Sequence, residues 1–295
     1  MADKKIGWIG TGVMGRSMCL NVQNQGYPIH VFTRTRQKAE ELINAGATWC
    51  DSPAEIARET DLIFSIVGYP SDVREVMLGP DGVVSHAKEG SVIVDMSTSE
   101  PSLAQAVYKQ AQERGISVLD APVSGGDIGA RQGTLAIMVG GDRESFDRVT
   151  PFLEIMGENI AFMGPAGSGQ HTKMSNQILI ASTMIGVVES LIYGLRAGLD
   201  PDEIIDVIGK GAAACWSINN LGRRIVKKNF DPGFFVKHFV KDMGIALAEA
   251  RAMNLSLPGL ALANQFYVSA MAIGHENLGT QSLYKVYEEL NGRSN

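Results

Sequence analysis

The chain has 295 residues, 45% hydrophobic and 20% charged, which supplies a sizeable core and excludes a disordered chain. A formal net charge of −6 excludes a global attraction to nucleic acid. Cys19, Cys50 and Cys215 are odd in number and far apart in sequence, so neither a disulfide framework nor a zinc site is expected, and a reducing, cytoplasmic setting fits.

Two lysines precede the first apolar run, as in a leader. Glycines interrupt that run at once, so no signal-peptide core is expected. Short runs at Ile6–Ile9, Ile29–Phe32, 62–67, Val92–Asp95 and Ser117–Asp120 read as strands. They are almost wholly apolar, as strands covered on both faces must be. Helix-like segments lie between them at 14–25, 37–44, 54–58, 71–78 and 102–114. Ser52-Pro53, Pro70-Ser71 and Pro101-Ser102 supply start signals. This alternation predicts a doubly wound, mostly parallel α/β sheet of the Rossmann kind. Added strands are expected at 134–139 and 159–162, around a helix at 144–156.

The first strand runs into Gly10-Thr11-Gly12-Val13-Met14-Gly15. A G-x-G-x-x-G run between a strand and a helix binds the pyrophosphate of a dinucleotide. The first glycine makes the turn, the second lets backbone approach phosphate, and the third lets helix pack on strand. The second strand ends Phe32-Thr33-Arg34-Thr35, where an NAD-selective site usually carries an acid for the ribose hydroxyls. Arg34 and the flanking hydroxyls suit the 2′-phosphate of NADP instead, with NAD left open. Lys38 adds charge there or is a solvated helix residue.

The pattern changes at the Gly164–Gly169 stretch. No strand is expected after it. A long helix over 170–197 would span roughly 42 Å at 1.5 Å per residue, followed by helices at 202–209, 218–227, 237–253 and 259–273. Two domains are expected, a dinucleotide-binding domain at 1–164 and an all-helical domain at 165–295. Residues 178–195 are apolar enough to raise a membrane span, but Ser182, Thr183, Glu189 and Ser190 favour a buried core helix.

Asp120 closes a strand, and Pro122-Val123-Ser124-Gly125-Gly126 reads as a loop beyond its carboxyl end, where open α/β sheets bind ligands. Glycine N–H groups with a serine hydroxyl suit a carboxylate. Lys173 opens the long helix, with Asn176 and Gln177 one turn on, so the three share a face. Hydride transfer to a carbonyl leaves an alkoxide that needs a proton, and a lysine beside that oxygen can donate it.

With the fingerprint, Asp120-Ala121-Pro122-Val123-Ser124-Gly125-Gly126, Gly167-Ser168-Gly169-Gln170-His171-Thr172-Lys173-Met174-Ser175-Asn176-Gln177 and Lys241-Asp242 after Pro232-Gly233-Phe234, the chain resembles the β-hydroxyacid dehydrogenase family over essentially its whole length. That family includes 3-hydroxyisobutyrate dehydrogenases, tartronate semialdehyde reductases and glyoxylate/succinic semialdehyde reductases. The resemblance is greatest to a bacterial NAD(P)-dependent oxidoreductase branch. It implies Lys173 as general acid/base and Ser124, Gly125 and Gly126 as the grip on the substrate acid. It also implies Asn176 or Gln177 as the orienting amide, the family often reading Asn-Asn there. Phe234 and Asp242 would border the site, with Lys241 reaching cofactor or substrate, Thr98 near the nicotinamide and Val67-Gly68 over the adenosine. Trp216, Ser217 and His238 are further pocket candidates.

The expected partner is a small carboxylate-bearing aldehyde or hydroxy acid, with no metal, nucleic acid or membrane, in a homodimer or homotetramer. An imine reductase of the same build, a decarboxylating phosphogluconate-type enzyme and a non-catalytic dinucleotide-binding module are the competing readings. The phosphogluconate type needs a longer helical domain, and the module would lack Lys173.

Overall fold

Nine short strands form one sheet in the first part of the computed structural model, which describes residues 4–292. The extreme N-terminus weighed as a leader and the end of the expected second domain fall partly outside those residues. The strands are β1 (Ile6–Ile9), β2 (Ile29–Phe32), β3 (Thr48–Trp49), β4 (Leu62–Ser65), β5 (Val92–Asp95), β6 (Ser117–Asp120), β7 (Val123–Ser124), β8 (Leu135–Gly140) and β9 (Gly157–Gly164). Their order is β3-β2-β1-β4-β5-β6-β8-β7, with β9 on β8. Pairing is parallel from β3 to β6, antiparallel where β6 and β7 meet β8, and parallel again between β8 and β9. The mostly parallel Rossmann sheet is as expected.

Alternation along the strands divides the core. Trp8, Phe64 and Val94 point into one buried cluster, and Ile9, Ile63 and Ile93 into the other. Side chains of a strand alternate faces, so four apolar residues in a row serve both layers of helices. Those layers are built from α1 (Val13–Gln23), α2 (Glu40–Asn44), α3 (Pro53–Glu59), α4 (Pro70–Leu78), α5 (Val83–His86), α6 (Pro101–Gln112), α7 (Gly126–Gln132) and α8 (Arg143–Leu153). Three of them, α3, α4 and α6, start with proline in the first turn, as the sequence signals required.

The fold corrects several expectations. Residues 36–39 form a 3₁₀ turn before a five-residue α2 rather than one helix. The stretch after Asp120 is not a plain loop, because Val123 and Ser124 pair with Ile137 and Ala136 of β8. α7 follows at once. Its glycines, Gly126 and Gly129, hid it, since glycine opposes helix by about 1 kcal/mol per residue.

The remaining helices are α9 (Ser168–Arg196), α10 (Pro201–Ile208), α11 (Arg223–Val226), α12 (Val236–Ala252), α13 (Pro258–Ala272) and α14 (Leu283–Leu290). Among the described residues no strand follows β9, only one isolated bridge between Phe235 and Gly279. Residues 218–227, expected as one α-helix, are a π-helical segment at Ser217–Gly222 leading into the short α11. Met184, Val188, Phe239, Met243 and Tyr267 centre the core of this region. The chain divides into two compact units between Lys173 and Met174, inside α9, whereas the sequence placed the boundary before that helix.

α9 is the described helix long and apolar enough to cross a membrane by length and composition, a test that core helices of soluble proteins also pass. It was expected to be a buried core helix. Ala181, Met184, Val188 and Leu191 are buried, but only 33% of its most apolar window, with mean hydropathy 1.9, is covered.

Candidate active site

The crevice outside the carboxyl ends of β1 and β4 is where the chain, having left β1 for β2 and β3, returns on the other side. Open α/β sheets bind ligands at such a reversal. Gly10 ends β1 there with φ 95°, and a Cβ on it would stand 2.1 Å from the Ile66 carbonyl oxygen. A Cβ on Gly15 would stand 2.3 Å from the Gly10 carbonyl oxygen, so helix and turn touch backbone to backbone. Gly12 differs, since an added Cβ there would meet nothing within 4 Å. Its lack of a side chain serves no packing, and leaves room for a ligand to approach the backbone.

Two more features fit a bound phosphate. The first turn of α1, holding Val13 and Met14, carries no acid. Thr11 is 3% exposed, and its buried Oγ1 has no hydrogen-bond partner among the described residues. Buried hydroxyls are normally satisfied, so an orphan in this turn fits a group that arrives with the ligand. The residues present therefore fit a dinucleotide.

Thr33 is half-buried and Arg34 and Thr35 are exposed at the end of β2. Arg34 is not loose. Its Nη1 and Nη2 donate to Asp72 Oδ1 and Oδ2 of α4 at 2.8 and 3.4 Å. Asp72 also accepts from the Tyr69 N–H at 3.2 Å, in a capping arrangement at the start of α4. The Tyr69-Pro70-Ser71-Asp72 spelling departs from the Ser/Thr-x-x-Glu/Gln capping-box pattern, and nothing in sequence spacing linked Asp72 to Arg34. Arg36 lies over the Trp49 ring at 5.1 Å. Val67 and Gly68 are half-buried after β4, with the Val67 N–H held by Ser97 Oγ at 2.9 Å. Thr98, also half-buried, sits between the buried Ser97 and Ser99 past β5.

Ser124 lies in β7, beyond the carboxyl end of β6, and Gly125 and Gly126 follow with φ 133° and 65°, which side-chain-bearing residues rarely adopt. All three are half-buried. Asp120 anchors the start of α9. Its carboxylate accepts from the N–H of Gly167 at 2.7 Å and of Gln170 at 2.9 Å. Gln170 in turn accepts from the Ser99 N–H at 2.9 Å and donates to the Ser97 carbonyl at 2.7 Å. Burial pushes the Asp120 carboxyl up to about 6, against its backbone donors, with the charge of Asp95 adding to the rise. Asp95, Asp120 and Gln170 were not singled out as a cluster from sequence, because the register that pairs β5 with β6 is a property of the folded sheet.

Lys173 is 6% exposed on α9 and Gln177 is 1% exposed, with Asn176 half-buried between them. Asn176 Nδ2 donates to Gln177 Oε1 at 2.7 Å. In the second unit, Gln177 Nε2 donates to Asp242 Oδ2 at 2.6 Å, and Lys241 Nζ lies 2.9 Å from Asp242 Oδ1. Asp242 is 1% exposed, so this is no surface ion pair. Phe234 is half-buried before α12 and packs on Phe239 at 5.7 Å between ring centres. Of the further candidates, Ser217 is buried, His238 half-buried and Trp216 52% exposed beside the π-helical segment.

A dinucleotide-binding first unit that ends on the buried Lys173, followed by a helical unit that holds the buried Gln177 and Asp242, fits a nicotinamide-dependent oxidoreductase. Residues 5–164 match the model of the NAD-binding domain of 6-phosphogluconate dehydrogenase. Residues 167–287 match that of the NAD-binding region of NADP-dependent 3-hydroxyisobutyrate dehydrogenase. An uncharacterised oxidoreductase of Bacillus subtilis is 53% identical over 96% of this chain and 99% of its own. The 2-hydroxy-3-oxopropionate reductase of Escherichia coli is 37% identical over 96% of this chain and 97% of its own. A crystal structure of 3-hydroxyisobutyrate dehydrogenase from Salmonella typhimurium superposes with a TM-score of 0.87 at 28% identity, over 96% of this chain and 100% of that one. The chain belongs to the β-hydroxyacid dehydrogenase family. It is an NAD(P)-dependent oxidoreductase of the CH–OH group of hydroxy acids.

Proposed function

We propose that the protein interconverts a short β-hydroxy acid and its semialdehyde, of the 3-hydroxyisobutyrate, tartronate semialdehyde, glyoxylate or succinic semialdehyde type, with NADP(H) preferred and Lys173 as general acid/base. The observation that carries this reading is the burial of Lys173 on the helix face of Asn176 and Gln177. Lysine is almost never buried to this degree unless its head group is engaged, and an apolar side chain would fill that position more simply.

The nicotinamide supplies or accepts the hydride. Lys173 Nζ protonates the carbonyl oxygen as it becomes alkoxide, and removes the hydroxyl proton in the reverse direction. The Ser124 hydroxyl and the Gly125-Gly126 backbone hold the substrate carboxylate. Gln177 is buried, with both ends of its amide engaged by Asn176 and Asp242. That supports Asn176 as the amide that orients substrate and Gln177 as the group that sets Asn176. The family resemblance assigns Asp242 and Phe234 to the border of the site and Lys241 to the cofactor or substrate. Arg34 and the Thr33 and Thr35 hydroxyls suit a 2′-phosphate, and Thr98, Val67 and Gly68 serve the rest of the cofactor. A homodimer or homotetramer is part of the same reading.

The test is kcat/KM over a panel of short semialdehydes, their amide or alcohol analogues and cyclic imines, each with NADPH and NADH. Acid-bearing aldehydes with NADPH are expected to lead. Lys173→Ala is expected to lose about 10²–10⁴-fold in turnover with cofactor affinity unchanged. Equal turnover of neutral analogues removes the carboxylate grip, preference for imines removes the reaction assigned, and retention of more than about a tenth of the rate in the variant removes the role of Lys173.

A further inference from the structure

The Arg34–Asp72 pair joins the end of β2 to the start of α4, across the reversal at which the dinucleotide fingerprint sits. Its geometry is end-on, one terminal nitrogen of the guanidinium facing each carboxylate oxygen, at 2.8 and 3.4 Å. A guanidinium carries five N–H donors. An end-on pair uses one on each Nη and leaves Nε–H and the outer N–H groups for a second acceptor. The Arg34 side chain is 78% exposed and that of Asp72 13% exposed. Asp72 is fixed from behind by the Tyr69 N–H at 3.2 Å. An ion pair this exposed adds little to stability. In this structure it sets the orientation of a long side chain.

We propose that Asp72 is a positioning residue for cofactor selection: it aims the unused donor fork of Arg34 at the 2′-phosphate, so that discrimination between phosphorylated and unphosphorylated adenosine ribose depends on an acid that never touches the phosphate. The inference rests on the reading of Arg34 as the 2′-phosphate contact. Immobilising a rotamer-rich side chain on binding costs about 0.5–1.5 kcal/mol, so orienting it beforehand is worth roughly 2–13-fold in affinity. The same carboxylate brings negative charge near the phosphate. The end-on pairing leaves the open edge of the guanidinium, and not the carboxylate, to a second acceptor, so aim and repulsion predict opposite changes when Asp72 loses its charge.

The experiment is calorimetric titration of the purified protein with 2′,5′-ADP and with 5′-AMP, which needs no turnover. The ratio of the two affinities is compared among the wild type, Asp72→Asn, Asp72→Glu, Arg34→Ala and Arg34→Lys. Asp72→Asn keeps an oxygen for the Tyr69 N–H, so the start of α4 persists. It is expected to lower the ratio by about threefold to tenfold, within the range set by side-chain ordering, while 5′-AMP binding and melting temperature stay as in the wild type. Asp72→Glu restores part of the ratio. Arg34→Lys, whose ammonium lacks a second fork, loses it even though the charge remains. An unchanged ratio in Asp72→Asn shows that Asp72 is only a helix cap, and a raised ratio shows that the acid competes with the phosphate; either overturns the proposal. Equal loss for both ligands also overturns it, as damage to α4 rather than lost aim. If Asp72→Asn does not fold, a full ratio in Arg34→Lys overturns the fork geometry by itself. A collapse in Arg34→Ala alongside an unchanged Asp72→Asn sinks this inference alone. A wild-type ratio near one, or no effect of Arg34→Ala, sinks the reading beneath it as well.

Discussion

Asp120 shows how one buried carboxyl is pulled in opposite directions. Two N–H groups donate to it, which favours the charged form, yet burial wins and its pKa rises from the ordinary 3.8 to about 6. Folding therefore takes up protons between those values. The group contributes its full stability below 3.8, and that contribution is lost as pH rises through about 6. Asp120→Asn lacks this titration and leaves one of the two N–H groups poorly matched, a penalty that does not vary with pH. The stability gap between wild type and variant in urea unfolding is expected to shrink by on the order of 2 kcal/mol between pH 4 and pH 7. Parallel pH curves for the two proteins would show that burial does not govern Asp120. The residues proposed to carry chemistry, Gly10, Gly12, Arg34, Ser124 and Lys173, were named from motifs in the sequence. Asp72, which pairs with Arg34, and Gln170 and Asp95, which neighbour Asp120, were not, because long-range pairs leave no spacing to read.

At the scale of the element, the β1–α1 junction separates two glycines that look alike in sequence. Gly15→Ala drives a methyl to 2.3 Å from the Gly10 carbonyl oxygen, so the backbone must shift. Gly12→Ala meets open space at φ −67°, an ordinary conformation. Gly12→Ala is therefore expected to fold with a stability loss under about 1 kcal/mol, the size of a changed helix cap, and to bind NADPH at least tenfold more weakly, about 1.4 kcal/mol. Gly15→Ala is expected to lose stability first. Thermal melts with and without NADPH separate the two, and a normal ligand-induced shift in Gly12→Ala counts against the junction as the phosphate cradle. The long periodic elements were readable in the same way, from four-residue apolar strands and from proline at helix starts. What escaped was short or contrary to propensity: β3 with two residues, the glycine-bearing α7 and the π-helical segment at Ser217–Gly222. α14 escaped despite a readable signal, the helical spacing of Leu283, Val286 and Tyr287, all buried.

For the whole molecule, the two-part architecture follows from the switch in pattern after residue 164, but the division of contacts falls inside α9, because a continuous helix does not break where a sequence motif does. The same helix leaves part of its apolar surface exposed. Its apolar window has a mean hydropathy of 1.9 and is only 33% buried, with Leu179 69% and Tyr193 77% exposed. α13 has no charged residue at all and exposes Leu262 and Val268 at 55% and 38%. Soluble monomers rarely leave contiguous apolar patches of more than a few hundred Å² in water. A closed homo-oligomer covers such a face with its own copy, since a two-fold interface needs only one self-complementary patch. Light scattering on the eluting protein is expected to give a multiple of the 31.7 kDa chain mass. Leu179→Glu with Tyr193→Glu is expected to shift that mass toward one chain, because each glutamate would be buried without a partner at the interface. A wild type that elutes as a single chain at all concentrations rejects the oligomer. A wild type recovered only with detergent or vesicles identifies the exposed face of α9 as a lipid-facing one instead.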